Sequence, residues 1–526
     1  MTQHRHIALG VDIGTTNTKV VVVEVADPAI GGAHDSRGVR EVRRRSVPTP
    51  VGAAALRDAV LGAIEAVTRG GDERVDAVGI ASMAETGALL DRAGEPLGDL
   101  LRWNDGDSDA VDDLVSSVGA AALYDATGVP VPAKTPVARW LQLQRDGDSR
   151  LRDARWAGVA DEIALALTGS FATDHTLAAR TMAYRSLPLT EALPASFDPE
   201  LTALGGFSVD RLPTVLRPGE PAGAVTAEAA ARTGLTAGIP VHIVGHDHAV
   251  GAWAADVRAH GEAANSVGTA EALFRVSDTS ISRDAARRAG MSIARTVDGA
   301  HESLLAGNPT AGGLVEWAFR TILPTADRER TLAEAARAAA DWQGEPLVLP
   351  YLRGRQAPHP DPSAVFRVVD RSGATAALPA DPGDALTAIL GGLVLQLAWL
   401  DAEQAEVIGA SGARASTLRV LGGPGAANDA WWTLKRALIP GAVTRVESTE
   451  PVATGAALLA LRDATGASPV LSARQEADGD AAEGAMAASA GASPLLADFI
   501  AAATASHPDS PHPASPHPRS PHPAAR

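Results

Sequence analysis

The chain reads as an α/β protein built from two similar domains with a cleft between them. Three observations predict this. Strand-like and helix-like segments alternate along the chain, the pattern of layered α/β folds. Each half offers a hairpin with Gly and Thr in its turn, one over 7–25 and one over 263–276. The length, 526 residues, exceeds one ordinary domain.

Taken in order, Ile7-Ala8-Leu9 and Val20-Val21-Val22-Val23 flank a polar turn and predict strands at 7–12 and 19–25. Periodicity predicts helices at 53–68, 109–124, 136–146 and 157–168, and a strand at 75–82. A strand at 241–244 and a helix through 249–255 close the first half. The second half repeats the theme with strands at 263–267 and 273–276, helices at 311–322, 328–340 and 384–408, and a strand at 417–421. Helices at 427–437 and 452–462 follow. The domains are expected at 6–254 and 255–465. Residues 472–494 are rich in Ala, Gly, Asp and Glu, and Ser-Pro-His-Pro recurs from 510. Proline at this density cannot build a core, so 466–526 is expected to be a disordered tail outside the fold.

Hydrophobic residues make up 45% and charged residues 21%, enough apolar material for cores. The net charge is −17 with no strongly basic segment, which argues against a nucleic-acid partner. Cysteine is absent, excluding disulfides, thiolate metal sites and a cysteine nucleophile. The segment before the first strand lacks a signal peptide's apolar stretch. The run Ala385–Leu400 is shorter than the ~20 residues of a membrane span. A buried helix, no membrane and a cytoplasmic location are expected.

The turn Gly10-Val-Asp-Ile-Gly-Thr-Thr-Asn-Thr-Lys19 carries most of the chemistry. It aims backbone N–H groups, the hydroxyls of Thr15 and Thr16, the Asn17 amide and the Lys19 ammonium into one space, where they suit phosphate oxygens. Asp12, at the strand's end, is placed to hold Mg²⁺ through water. The Walker A pattern is absent. The chain has only three lysines, Lys19, Lys134 and Lys435, and one of them closes this turn.

Gly245-His-Asp-His248 ends a strand, where Asp247 suits a base taking a proton from a hydroxyl. The competing reading is a metal cluster. Alternation would place His242, His246 and His248 on one face if the strand ran past Gly245. Ser266-Val-Gly268-Thr269 is a second candidate phosphate turn, and Gly312-Gly313 opens a helix, whose N-terminus attracts phosphate. Gly422-Gly423-Pro-Gly-Ala-Ala-Asn428 nearly matches the dinucleotide pattern, but Asn428 stands where the third glycine belongs and the acidic partner is missing. An adenine ring against the glycine backbone explains it equally well. Trp103-Asn104-Asp105-Gly106 suits either a polyhydroxylated ligand or a half-buried tryptophan beside a turn.

These segments, in this order over about 6–465, resemble the FGGY family of carbohydrate kinases within the actin-like ATPase group. The stretch Tyr351-Leu-Arg-Gly-Arg-Gln-Ala-Pro358 is similar to one common in that family. The resemblance implies two actin-like (ribonuclease H-like) domains with ATP and a small-molecule carbohydrate between them, Mg²⁺ as cofactor, and plausible homodimers. It implies Asp247 as base and Asp12 as the metal-placing carboxylate. Thr15, Thr16, Asn17, Lys19, Gly268 and Thr269 would hold the phosphates. Gly312, Gly313, Gly423 and Asn428 would line the nucleoside pocket, and Glu85, Trp103, Asn104 and His248 would face the sugar. Glycerol kinases carry Arg-Glu-Thr where this chain has Ala84-Glu85-Thr86, and xylulokinases carry Met-His-Gly. The frame is xylulokinase-like with a different sugar pocket, and a ketose or polyol is the expected acceptor. The rival reading is an actin-like ATP-binding sensor without turnover.

Overall fold

The computed structural model describes residues 5–26, 38–69, 71, 74–105, 108–131, 134–409, 417–422, 428–466, 473–474 and 493–505. The first sheet has the strand order Val39–Pro48, Asn17–Ala26, Arg5–Ile13, Ala77–Ser82, Pro240–His246 and Gly223–Ala224. The first three strands form an antiparallel meander, and Ala77–Ser82 and Pro240–His246 add parallel to it. In the second sheet, Glu302–Asn308, Glu271–Ser277 and Ala263–Val267 form the same meander, and Thr417–Gly422 and Ala442–Val446 add parallel on the same side. Short strands extend this sheet at both edges. The five-strand theme occurs twice, as the two hairpins predicted.

Period-two alternation explains the first meander. Ile7, Leu9, Val11, Ile13, Val20 and Val22 face a core shared with helix Ala53–Thr68. Ala8, Val21 and Val23 face the opposite side, into a core that also holds Ala453, Ala456, Ala457, Phe274 and Leu421 from the second half. That second core joins the lobes, and where the helix meets the sheet it uses small residues for a reason. Helix Pro451–Thr465 lies so close that a Cβ on Gly10 would sit 1.8 Å from the Ala453 carbonyl oxygen, and one on Gly79 1.9 Å from that of Ala456. The join sets the first turn against the N-terminus of this helix.

A third core, around Trp140, Trp156, Tyr184 and Phe207, belongs to a helical region between strands Ala77–Ser82 and Pro240–His246. The predicted helix 109–124 is two helices, Ser108–Val118 and Ala120–Thr127, because Gly119 takes φ +91° between them. The predicted helix 157–168 begins as a strand, Arg155–Gly158, before Val159–Thr168. Helix Pro382–Val407 is 26 residues, long and apolar enough to cross a membrane by length and composition, but 89% of its apolar window is buried inside the second lobe.

The tail expectation needs one correction. Pro494–Thr504 is an α-helix, with Leu496, Phe499, Ala502 and Ala503 buried in the second lobe's core and the Arg355 Nη1 donating to the Ala503 carbonyl at 2.8 Å. Its apolar residues at 496, 499, 500 and 503 form a helical stripe. Averaging its composition with the flanking stretches hid it. The Ser-Pro-His-Pro repeats lie outside the described residues.

Candidate active site

The first turn is held from behind. Gly14 N donates to the Asn17 carbonyl at 3.2 Å, Thr49 Oγ1 donates to the Gly14 carbonyl at 2.8 Å, and Thr49 N donates to that of Thr16 at 3.0 Å. Thr16 and Asn17 are left exposed at the tip. Register places Asp12 directly opposite Lys19. Lys19 Nζ lies 4.0 Å from Asp12 Oδ2 and 2.7 Å from Glu450 Oε2. Glu450 precedes the helix that joins the lobes, so Lys19 pairs across the interlobe seam. Burial pushes the Asp12 carboxyl up to about 7; Lys19 opposes this, and Asp247 and Glu450 add to it. Burial works against the Lys19 ammonium, but Asp12 and Glu450 outweigh it and hold its pKa above the ordinary lysine value. Lys19 and Glu450 also border a cavity of about 360 Å³ that Arg44, Arg45 and Ser46 line from the neighbouring strand.

Asp247 opens helix Asp247–Ala254 rather than continuing the strand, which ends at His246 after a register shift near Gly245. His242 therefore does not join the others. The metal-capable group is His246, Asp247 and His248, whose ligand atoms lie within 4.8 Å of one another. Asp247 Oδ1 accepts from the His248 backbone N–H at 2.7 Å and lies 3.1 Å from His246 Nε2. Burial lowers the His246 pKa to about 4, against the pull of Asp247, so its ring is neutral and its N–H can orient the carboxylate.

The loop is anchored from a segment to which the sequence reading gave no role. Asp174 Oδ1 accepts from Thr176 Oγ1 at 2.5 Å, and Thr176 Oγ1 accepts from the His246 backbone N–H at 2.8 Å. Gly245, at φ +122°, leaves no room for a side chain there: a Cβ would sit 2.5 Å from Thr176 Oγ1.

In the loop expected to face the sugar, Trp103 Nε1 donates to Thr15 Oγ1 at 3.0 Å and its backbone N–H to Thr86 Oγ1 at 3.1 Å, which ties this loop to the first turn. Asn104 is exposed and His248 half-buried. Glu85, expected to face the sugar, has a side chain that is 7% exposed and ion-paired. Arg180 donates to its Oε1 through Nε at 3.0 Å and Nη2 at 2.5 Å, and Lys134 Nζ lies 3.3 Å from the same oxygen. Burial opposes its ionisation, but Arg180 and Lys134 prevail and hold its pKa down at about 2. The chain lacks the arginine of Arg-Glu-Thr, yet one reaches Glu85 from the end of helix His175–Ala179.

In the second lobe, Gly268 and Thr269 are exposed at the tip of their hairpin. Helix Ala311–Thr321 seats directly against it: a Cβ on Gly312 would lie 2.2 Å from the Gly268 carbonyl oxygen. Gly313 N donates to the Thr269 carbonyl at 3.0 Å, so this amide, expected in the nucleotide pocket, is already used to fasten the turn. Asn428 Oδ1 caps helix Asp429–Leu438 by accepting from Trp431 N at 2.9 Å. Gly423 lies outside the described residues. Beneath the turn, Lys435 Nζ donates to Glu271 Oε1 at 2.5 Å and to Asn265 Oδ1, all three buried.

The lobe is duplicated, each copy carries a turn with Gly and Thr, and on the first an aspartate and a lysine face each other. The chain belongs to the FGGY family of carbohydrate kinases, matching its N-terminal domain over residues 7–254 and its C-terminal domain over 263–464. It is similar to the xylulose kinase of Escherichia coli (strain K12), 25% identical over 433 residues, 80% of this chain and 83% of that one. It is also similar to the L-fuculokinase of the same strain, 27% identical over 172 residues, 32% of this chain and 35% of the relative. The fold superposes on the crystal structure of xylulose kinase from Rhodospirillum rubrum with TM-score 0.75 and 22% identity, covering 94% of this chain and 98% of that one. Membership makes the chain an enzyme, implies ATP as phosphoryl donor and a small carbohydrate as acceptor, and gives the sensor and dinucleotide readings no support.

Proposed function

We propose that this chain transfers the γ-phosphoryl group of ATP to a hydroxyl of a small carbohydrate, with Asp247 as the base. One observation carries the assignment. The Asp247 carboxylate opens a helix at a strand's end and is fixed by a neutral His246 and a backbone amide. It also lies close enough to Asp12 to act on it electrostatically. A carboxylate so held takes the hydroxyl proton as the oxygen attacks phosphorus.

Lys19, the exposed hydroxyl of Thr16 and the turn at Gly268 and Thr269 would offset charge on the phosphoryl oxygens, so positioning and electrostatics supply most of the catalysis. Mg²⁺ fits here. An Asp12 carboxyl pushed up to about 7 beside two further carboxylates is an oxygen donor set short of positive charge. Asp12 would hold the ion, which supplies charge neutralisation when bound, leaving Asp247 free to act as the base. Trp103, bonded to Thr15, would keep the sugar loop in register with the phosphate turn.

The test is Asp247→Asn. Coupled ADP release should fall roughly 10²–10⁴-fold, the contribution of a positioned base, while ATP binding by titration stays near the wild-type value. Unchanged turnover would remove Asp247 as the base.

A further inference from the structure

Two cations converge on one oxygen of one carboxylate beside the reacting centre. Arg180 and Lys134 both reach Glu85 Oε1. Arg180 and Lys134 thus share the single carboxylate of Glu85, and burial pushes the Lys134 ammonium's pKa down against the pull of that carboxylate. Asp247 acts on Lys134 electrostatically but forms no ion pair with either cation among the described residues. A buried charge is costly unless it is paired, and these two cations share one partner.

The unspent donors are specific. Arg180 is 4% exposed, and its Nη1 is buried without a hydrogen-bond partner among the described residues. Lys134 has three donors, pairs only with Glu85 among the described residues, and keeps 31% of its side chain exposed. Lys134 is thus the open face of the cluster and Arg180 its buried floor. Both sit on the edge of the helical region built around Trp140, and Arg180 directly follows the helix whose Thr176 anchors the Asp247 loop. The positive charge and the base are therefore held in register by one segment.

We propose that Lys134, backed by the Arg180–Glu85 pair, is a carboxylate-recognition subsite, and that the acceptor is a sugar acid rather than a neutral ketose or polyol. This rests on the phosphotransfer reading above. A carboxylate at Lys134 would give the second cation a counter-charge of its own and a charge-assisted hydrogen bond. A neutral hydroxyl would supply no counter-charge.

The experiment compares ADP release with Mg-ATP from pentonates and hexonates against pentuloses, hexuloses and polyols of the same chain lengths. It uses the full chain, Lys134→Met and Lys134→Arg. The wild type should favour an acid in kcat/KM. Lys134→Met should cut the acid-to-neutral ratio by about tenfold or more, through KM, as expected for one lost charge-assisted bond. Lys134→Arg should restore much of the ratio. A wild type that turns over ketoses or polyols and ignores acids overturns the subsite and leaves the kinase standing. Calorimetric titration with the acids separates the remaining failures. Acid binding that Lys134→Met abolishes, without any turnover, would keep the subsite and remove the phosphotransfer reading. Absence of acid binding to a wild type that binds ATP would remove the subsite.

Discussion

The two turns proposed to hold phosphate start from one design and diverge in where they keep their charge. Each closes an antiparallel hairpin whose first strand pairs with a parallel neighbour, and each leaves Thr at an exposed tip. Each also has a lysine–carboxylate pair. In the first lobe the pair is Lys19–Glu450, with 29% and 16% of the side chains exposed, bordering a cavity. In the second it is Lys435–Glu271, with 2% and 3% exposed, underneath the turn. The same chemistry then has opposite electrostatic consequences. The carboxylates around Lys19 outweigh burial and raise its pKa, whereas burial outweighs Glu271 and lowers that of Lys435. A charge beside solvent is free to meet phosphate, and a charge beneath a turn can only hold it in place.

Substituting each lysine by methionine tests this division. The largest effect on folding is expected from Lys435→Met, which leaves Glu271 buried without its cation. Breaking a buried pair from one side costs about 3–5 kcal/mol, read as a lower denaturation midpoint of the second lobe. A loss below about 1 kcal/mol would place this pair with the exposed ones. Lys19→Met should show the reverse pattern. Its pair is partly exposed, so stability should change by less than about 1 kcal/mol. Losing one donor to the developing phosphoryl charge should lower kcat/KM for ATP by about a hundredfold. If both variants lose activity and stability in equal measure, the division of labour is wrong.

The sequence showed the first turn more fully than its counterpart for a physical reason. Asp12, Lys19 and Asp247 lie where a strand ends or begins, a local pattern that spacing reveals. Glu450 reaches Lys19 only because a Gly10–Ala453 contact brings a helix of the other lobe onto the first sheet. No local pattern encodes that approach. Lys134 and Arg180 meet at Glu85 through the packing of the helical region and look ordinary in sequence; the scarcity of lysine was the one available signal, and all three lysines pair with carboxylates around the site. Strand Val39–Pro48 escaped notice because it is an edge strand whose Arg43-Arg44-Arg45 run lacks apolar alternation. The core strands, with clean alternation, were all predicted in the first meander's inner pair.

A pH-dependent effect is expected at Asp12, which lies at the end of the leading strand of the first turn. Its pKa is raised from 3.8 to about 7 in the folded chain, chiefly by burial. The proton is therefore bound more tightly in the folded state. The stabilisation this gives is complete below about pH 4 and is lost as pH rises through about 7. In chelator-treated, magnesium-free buffer, wild type should lose stability relative to Asp12→Asn across that window, with a slope of at most about 1.4 kcal/mol per pH unit, and the difference should level off above it. Magnesium binds the ionised carboxylate, so saturating Mg²⁺ should flatten the slope by drawing the folded-state pKa back down. A difference already flat without magnesium would mean that Asp12 is ionised throughout. The cation requirement inferred for the first turn would then lose its physical basis.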